Sequence, residues 1–127
     1  MQRVEAVAIV VPDYEDGIAF YVGAMGFDLV EDIDLGNGKR WVVVRPAGGE
    51  TGLLLAKADG PAQAAAIGNQ TGGRVGFFLS TDDFARDHAA MLAAGVTFEE
   101  PPRHEPYGTV AVFRDPFGNR WDLIERW

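Results

Sequence analysis

Histidines, cysteines, paired carboxylates and activated nucleophiles are where chemistry is sought first, and this 127-residue chain offers few of them. It has no cysteine, which excludes thiolate metal sites, cysteine nucleophiles and a disulfide scaffold. One of its two histidines, His88, lies in the run ARDHAAML, where helical spacing favours a structural role. The other, His104, lies in EEPPRHEPY, a proline-rich segment with three glutamates, the kind of loop that rims a site. His104, Glu105 and Asp122 could gather as a general base or a weak metal site. The simpler reading of His104 is a solvated loop residue without a required partner.

Other chemistry is absent from the pattern. Asp28, Glu31, Asp32 and Asp34 crowd one strand, but they lack calcium-loop spacing and read as a solvated edge. The glycine clusters GNG, AGGE and TGG form no phosphate-binding fingerprint, because none follows a strand and opens a helix. Ser80 is outside any nucleophile elbow.

Nineteen acids against eleven bases give a net charge of −8, spread evenly over both halves of the chain. Such a field repels a phosphate backbone, so nucleic acid is not an expected partner. A neutral or cationic small molecule is compatible with it. No apolar run approaches the ~20 residues that cross a bilayer, and the start reads as a strand and not a signal peptide. The expected location is cytoplasmic, with no membrane partner.

The elements that must position these residues follow from hydrophobic periodicity and punctuation. Val4 to Val11 is a β-rich run closed by Pro12. Asp13 stands at an N-cap, Ile18, Tyr21, Val22 and Met25 recur at helical spacing, and Gly26 stops the helix. Strands are predicted over 27–35 and 39–45, joined at Gly36-Asn37-Gly38, and over 52–57. A Gly, Pro and Ala-rich linker covers 58–72, with a helical turn around Gln63 to Ile67. The second half predicts a strand over 74–81, a helix capped by Asp82 or Asp83 and stopped by Gly95, and strands over 96–99, 107–114 and 120–126. The turn Asp115-Pro116-Phe117-Gly118-Asn119 precedes the last strand.

The halves repeat. Gly26 lies thirteen residues after Asp13 and Gly95 thirteen after Asp82, an offset of 69, and the same offset lays Leu53-Leu54-Leu55 on Asp122-Leu123-Ile124. The expectation is one domain, 1–127, of two βαβββ modules, about 1–57 and 73–127. Neither module is large enough to bury a sheet face alone, so pairing within or between chains is expected, most simply a homodimer.

With the strand VAIVVPD, the Phe20-Tyr21 helix, Gly26-Phe27, the repeat and FRDPFGNRWDL at 113–123 in register, the whole chain resembles the vicinal oxygen chelate superfamily. That group contains glyoxalases, bleomycin-resistance proteins and extradiol dioxygenases. The resemblance implies an α+β fold whose mixed sheets curl around a cavity. In metal-dependent members four His, Glu or Gln side chains hold a divalent ion there, one from the first and last strand of each module, and the ion polarises substrate oxygens. Carried over one by one, these positions fall at Ala6, at Leu53 or Leu54, at Gly76 and at Asp122. Only Asp122 can coordinate, and one carboxylate does not hold a transition metal. No cofactor is therefore expected, and a divalent metal is disfavoured.

Trp41, Phe78, Tyr107 and Phe113, with Asp122, are the residues expected to line the cavity. The resulting expectation is a metal-free protein that binds or sequesters a small organic molecule, with Asp122 as its charged anchor. The alternative is a lyase, isomerase or dioxygenase of the superfamily with a shifted metal site, or acid–base chemistry through Asp122 or His104.

Overall fold

The computed structural model describes all residues, 1–127, and divides them into two compact units, Met1–Ile67 and Gly68–Trp127. Each is α+β and holds one open sheet. No helix is long and apolar enough to cross a membrane.

In the first unit β1 (Ala6–Val11) leads into α1 (Tyr14–Ile18), which continues as a π-helical segment over Ala19–Ala24. The Asp13 carboxylate accepts the Tyr14 N–H at 2.7 Å, the N-terminal cap that its position predicts. The strands β2 (Asp28–Gly36), β3 (Lys39–Arg45) and β4 (Gly52–Lys57) follow, then α2 (Pro61–Ala66). Gly36, Asn37 and Gly38 all adopt positive φ, which lets the β2–β3 hairpin close in two residues. The sheet order is β1-β4-β3-β2, with β1 parallel to β4 and the other pairs antiparallel.

One face of this sheet is covered by α1. Ile9, Val11, Val42, Val44 and Leu55 are buried on it. The helix approaches closely because Gly17 has no Cβ: one built there would sit 2.9 Å from a Leu55 methyl and 3.3 Å from Val11. Tyr21 is wholly buried between Phe20 and Phe27, at ring distances of 4.8 and 5.9 Å.

The second unit repeats the order with one addition. β5 (Phe77–Ser80), α3 (Phe84–Ala93), β6 (Thr97–Phe98), β7 (Arg103–Glu105), β8 (Gly108–Arg114) and β9 (Arg120–Arg126) build a sheet of order β5-β9-β8-β6. Asp83, of the two candidates, caps α3 through the Arg86 N–H at 3.0 Å. The segment read as an irregular proline-rich loop contains β7, which pairs with the start of β8. Prolines flank Arg103–Glu105 without interrupting it, so its backbone is free to join the ladder.

Beneath α3 runs a chain of rings: Phe77 on Trp121 at 4.9 Å, Trp121 on Phe113 at 5.7 Å, Phe113 on Phe98, Phe98 on His88, His88 on Phe84. Each such pair contributes about 0.5–1.5 kcal/mol beyond its buried area, so the stack is a main support of this unit. The turn before β9 is held by Asp115, which is buried. Its Oδ1 accepts the Phe117 and Asn119 N–H groups, and its Oδ2 accepts the Asn119 side-chain amide.

Candidate functional site

Strand alternation gives each sheet a second face, away from its helix, and the register identifies the residues on it. In the first unit Ala6 lies opposite Gly52 and Ala8 opposite Leu54, while Val43 lies opposite Leu54 and Trp41 opposite Ile33. These residues share parity and oppose the α1-covered set. At the end of the sheet lies a groove of about 830 Å³ that takes Trp41, Leu54 and Ala56 from this face and Leu55 and Tyr14 from the helix side. That volume is within the range of small-molecule sites. Tyr14 braces it: its hydroxyl accepts the Arg40 N–H at 3.0 Å, and the Arg40 guanidinium lies 5.2 Å from its ring centre. Arg40 is itself fixed by Asp32 at 2.7 Å and Glu15 at 2.6 Å.

In the second unit Asp122 lies between Phe78 of β5 and Val112 of β8. Phe78 is 61% exposed, a large apolar ring left standing on this face. Gly76 donates its N–H to the Arg120 carbonyl at 3.1 Å, so it continues the same row. Around Asp122 the arginines are already engaged. Glu99 accepts from Arg120 at 2.8 Å and from Arg114 at 3.3 Å, which together hold its carboxyl below the usual range. Arg103 bonds Glu100 at 2.8 Å and Glu105 at 2.7 Å. Asp122 Oδ1 is buried and has no hydrogen-bond partner. Burial raises the Asp122 pKa above its ordinary value; Arg103 pulls it the other way and Glu100 adds to the rise.

Two sheets of like topology, each with a helix on one face, carry the sequence repeat into three dimensions; on the other face of the second sheet Val110, Val112 and Ile124 are buried and Phe78 is exposed. A family model described as "Glyoxalase/Bleomycin resistance protein/Dioxygenase superfamily" matches residues 3–123. The chain belongs to that superfamily. It is similar to a protein of Shewanella frigidimarina, 51% identical over 126 residues, which are 98% of this chain and 93% of that one. Among solved structures it is similar to TnmS3, described as an antibiotic binding protein from Streptomyces sp. CB03234. The identity is 33% and the TM-score 0.80, over 100% of this chain and 98% of that one. It is also similar to a superfamily member from Sphaerobacter thermophilus, with 31% identity and a TM-score of 0.80 over 99% and 98% of the two chains.

The superfamily's metal positions can now be read on the faces. Of the positions that the resemblance implies, Ala6 and Leu54 share one face of the first sheet, whereas Leu53 pairs with Val44 on the helix side. Gly76 and Asp122 share one face of the second. Three of the four offer no donor atom, and nowhere do three or more His, Asp or Glu residues come together as a metal cluster. The residues present do not fit the superfamily's divalent ion.

The remaining candidates separate. Trp41, 36% exposed, stands on the helix-free face of its sheet, and Phe78 and Asp122 on that of theirs. Phe113, expected to line the cavity, is instead fully buried in the ring stack. It pairs with Trp121, one residue out of step with Asp122, and so points to α3. Tyr107 sits at the β7–β8 turn with the Arg126 guanidinium 5.7 Å from its ring centre. Arg126 is four residues beyond Asp122, roughly 13 Å along the strand, so Tyr107 is not beside the carboxylate. His104 pairs with Thr109, its Nδ1 lying 3.2 Å from the Thr109 hydroxyl, on the face opposite Arg103, Glu105 and Asp122. The pleat therefore keeps His104 and Asp122 from acting as an acid–base pair. Sequence reasoning missed the Glu99 and Arg103 networks. Glu99 meets its arginines 15 and 21 residues away, and no local spacing signals that.

Proposed function

We propose that this protein binds and holds a small organic molecule with a planar aromatic body, without a resident divalent metal. The observation that carries this reading is the exchange at the superfamily's metal positions. On the first sheet Ala6 and Leu54 stand where the resemblance implies coordinating side chains, with Trp41 exposed on the same face; on the second sheet Gly76 does so, with Phe78 exposed on its face. Removing the donors abolishes a Lewis-acid bed but leaves apolar surface, on which a flat molecule gains by burial and ring stacking. The similarity to an antibiotic binding protein over the full chain supports the same reading.

The protein acts as a homodimer in this proposal. β2 is an edge strand, and Leu29, Val30, Ile33 and Leu35 on it are exposed. Four large apolar side chains left in water on one strand favour burial against a second copy, with the acids Asp28, Glu31, Asp32 and Asp34 set among them.

Calorimetric titration with a panel of planar polycyclic compounds, acridine and anthraquinone-2-sulfonate among them, tests the binding reading. At least one is expected to bind in the micromolar range, and Phe78→Ala to weaken it by about tenfold, the loss of one stacking partner of about 1.4 kcal/mol. A panel without a binder tighter than millimolar overturns the proposal.

A further inference from the structure

Resting on that reading, we infer that Asp122 selects ligands carrying a cationic N–H donor on the aromatic body, with the ring set against Phe78 and the donor on the Asp122 carboxylate. Four observations converge. Asp122 Oδ1 is a buried acceptor without a partner. The neighbouring arginines are committed elsewhere: Arg114 and Arg120 to Glu99, Arg103 to Glu100 and Glu105. Arg126, on the same face of β9, is turned to Tyr107 at the far end of the strand. Directly across the parallel pair stands Phe78, more than half exposed.

A buried carboxylate oxygen without a donor is costly, and side chains of this face do not relieve it. A carboxylate's terminal torsion is soft, so either oxygen can turn to meet a donor arriving over this face. The donor that contributes most is charged, because a charge-assisted bond is about twice as strong as a neutral one. Next in the row to Phe78, the place of a side chain on Gly76 is taken by the Thr71 methyl, so a ligand is bounded on that side. An anionic ligand would meet the free carboxylate instead and be disfavoured.

The test uses one tricyclic body in three charge states at pH about 7.5: 9-aminoacridine as cation, acridine as neutral molecule and acridine-9-carboxylate as anion. Titrated into the full chain, 9-aminoacridine is expected to bind about tenfold more tightly than acridine, and the carboxylate most weakly. Asp122→Asn is expected to erase the tenfold preference for 9-aminoacridine over acridine. Phe78→Ala should weaken all three alike. General attraction by a chain of charge −8 would also favour the cation, but it would survive in Asp122→Asn, and that outcome overturns the inference. Equal affinity of the parent for acridine and 9-aminoacridine overturns it too, whether or not the variant folds, while leaving aromatic binding intact. Absence of binding by all three compounds overturns the binding reading itself, and this inference with it.

Discussion

Neutralising Asp122 should make the protein more stable, against the usual expectation for a carboxylate near arginines. Its Oδ1 has no donor, and burial raises its pKa in the folded state. A raised folded pKa means the folded chain holds this proton more tightly than the unfolded chain. Stability is therefore highest while the group is protonated, and falls as pH rises through the folded value. The cost is absent below the ordinary carboxylate range and complete above the raised value. An unmet buried acceptor costs about 1–3 kcal/mol and a charged one more; an amide keeps an unmet oxygen, so Asp122→Asn recovers only the part that belongs to the charge. Asp122 is only half-buried and feels attraction from Arg103 and Arg120, so the lower end applies. Asp122→Asn should therefore gain about 1 kcal/mol at pH about 7.5, a rise in Tm of about 3–5 °C for a chain of this size. Near pH 3.5, where parent and variant are both neutral at this position, the gain should shrink toward zero. Urea unfolding followed by tryptophan fluorescence at the two pH values measures both numbers. A variant less stable than the parent at pH about 7.5 would show that an arginine pairs with Asp122 in solution. An equal gain at both pH values would show that charge is not its cause. Either result refutes the reasoning.

Three further outcomes are expected. Asp115→Ala removes the acceptor for two backbone N–H groups and the Asn119 amide, and should cost about 2–4 kcal/mol in urea unfolding; Asp115→Asn keeps an acceptor and should cost about half as much. Metal analysis of protein purified without chelator should return far less than one divalent ion per chain, and dialysis against EDTA should leave Tm unchanged; near-stoichiometric zinc, nickel or iron would contradict both. Sedimentation at micromolar concentration should give twice the 13.8 kDa chain mass, and Ile33→Glu with Leu35→Glu should shift it to monomer, whereas a monomeric parent would remove β2 as an interface.

What the amino-acid order decided by itself is local. Asp13 and Asp83 cap helices within three residues of themselves, Gly36-Asn37-Gly38 closes a hairpin, and Asp115 organises the four residues after it. In each case the hydrogen-bonding partners lie within one turn of chain, so residue type and spacing suffice. The repeat at an offset of 69 was equally legible, because it is a comparison of the chain with itself. That Ala6 and Gly76 carry no side-chain donor was readable too, because it holds in any conformation. Which face each strand residue occupies was decided only in three dimensions. Phe113 went to the ring stack and His104 to the side away from Asp122, because the partner strand sets the register and a shift of one residue reverses every side chain. That Leu54 and not Leu53 shares the face of Ala6 was decided in the same way, by pairing with Ala8 and Val43. The bare Asp122 oxygen is the most strictly tertiary feature. It depends on Glu99 drawing Arg114 and Arg120 away across 15 and 21 residues, with no local period, and on Glu100 and Glu105 engaging Arg103 from three and two residues away.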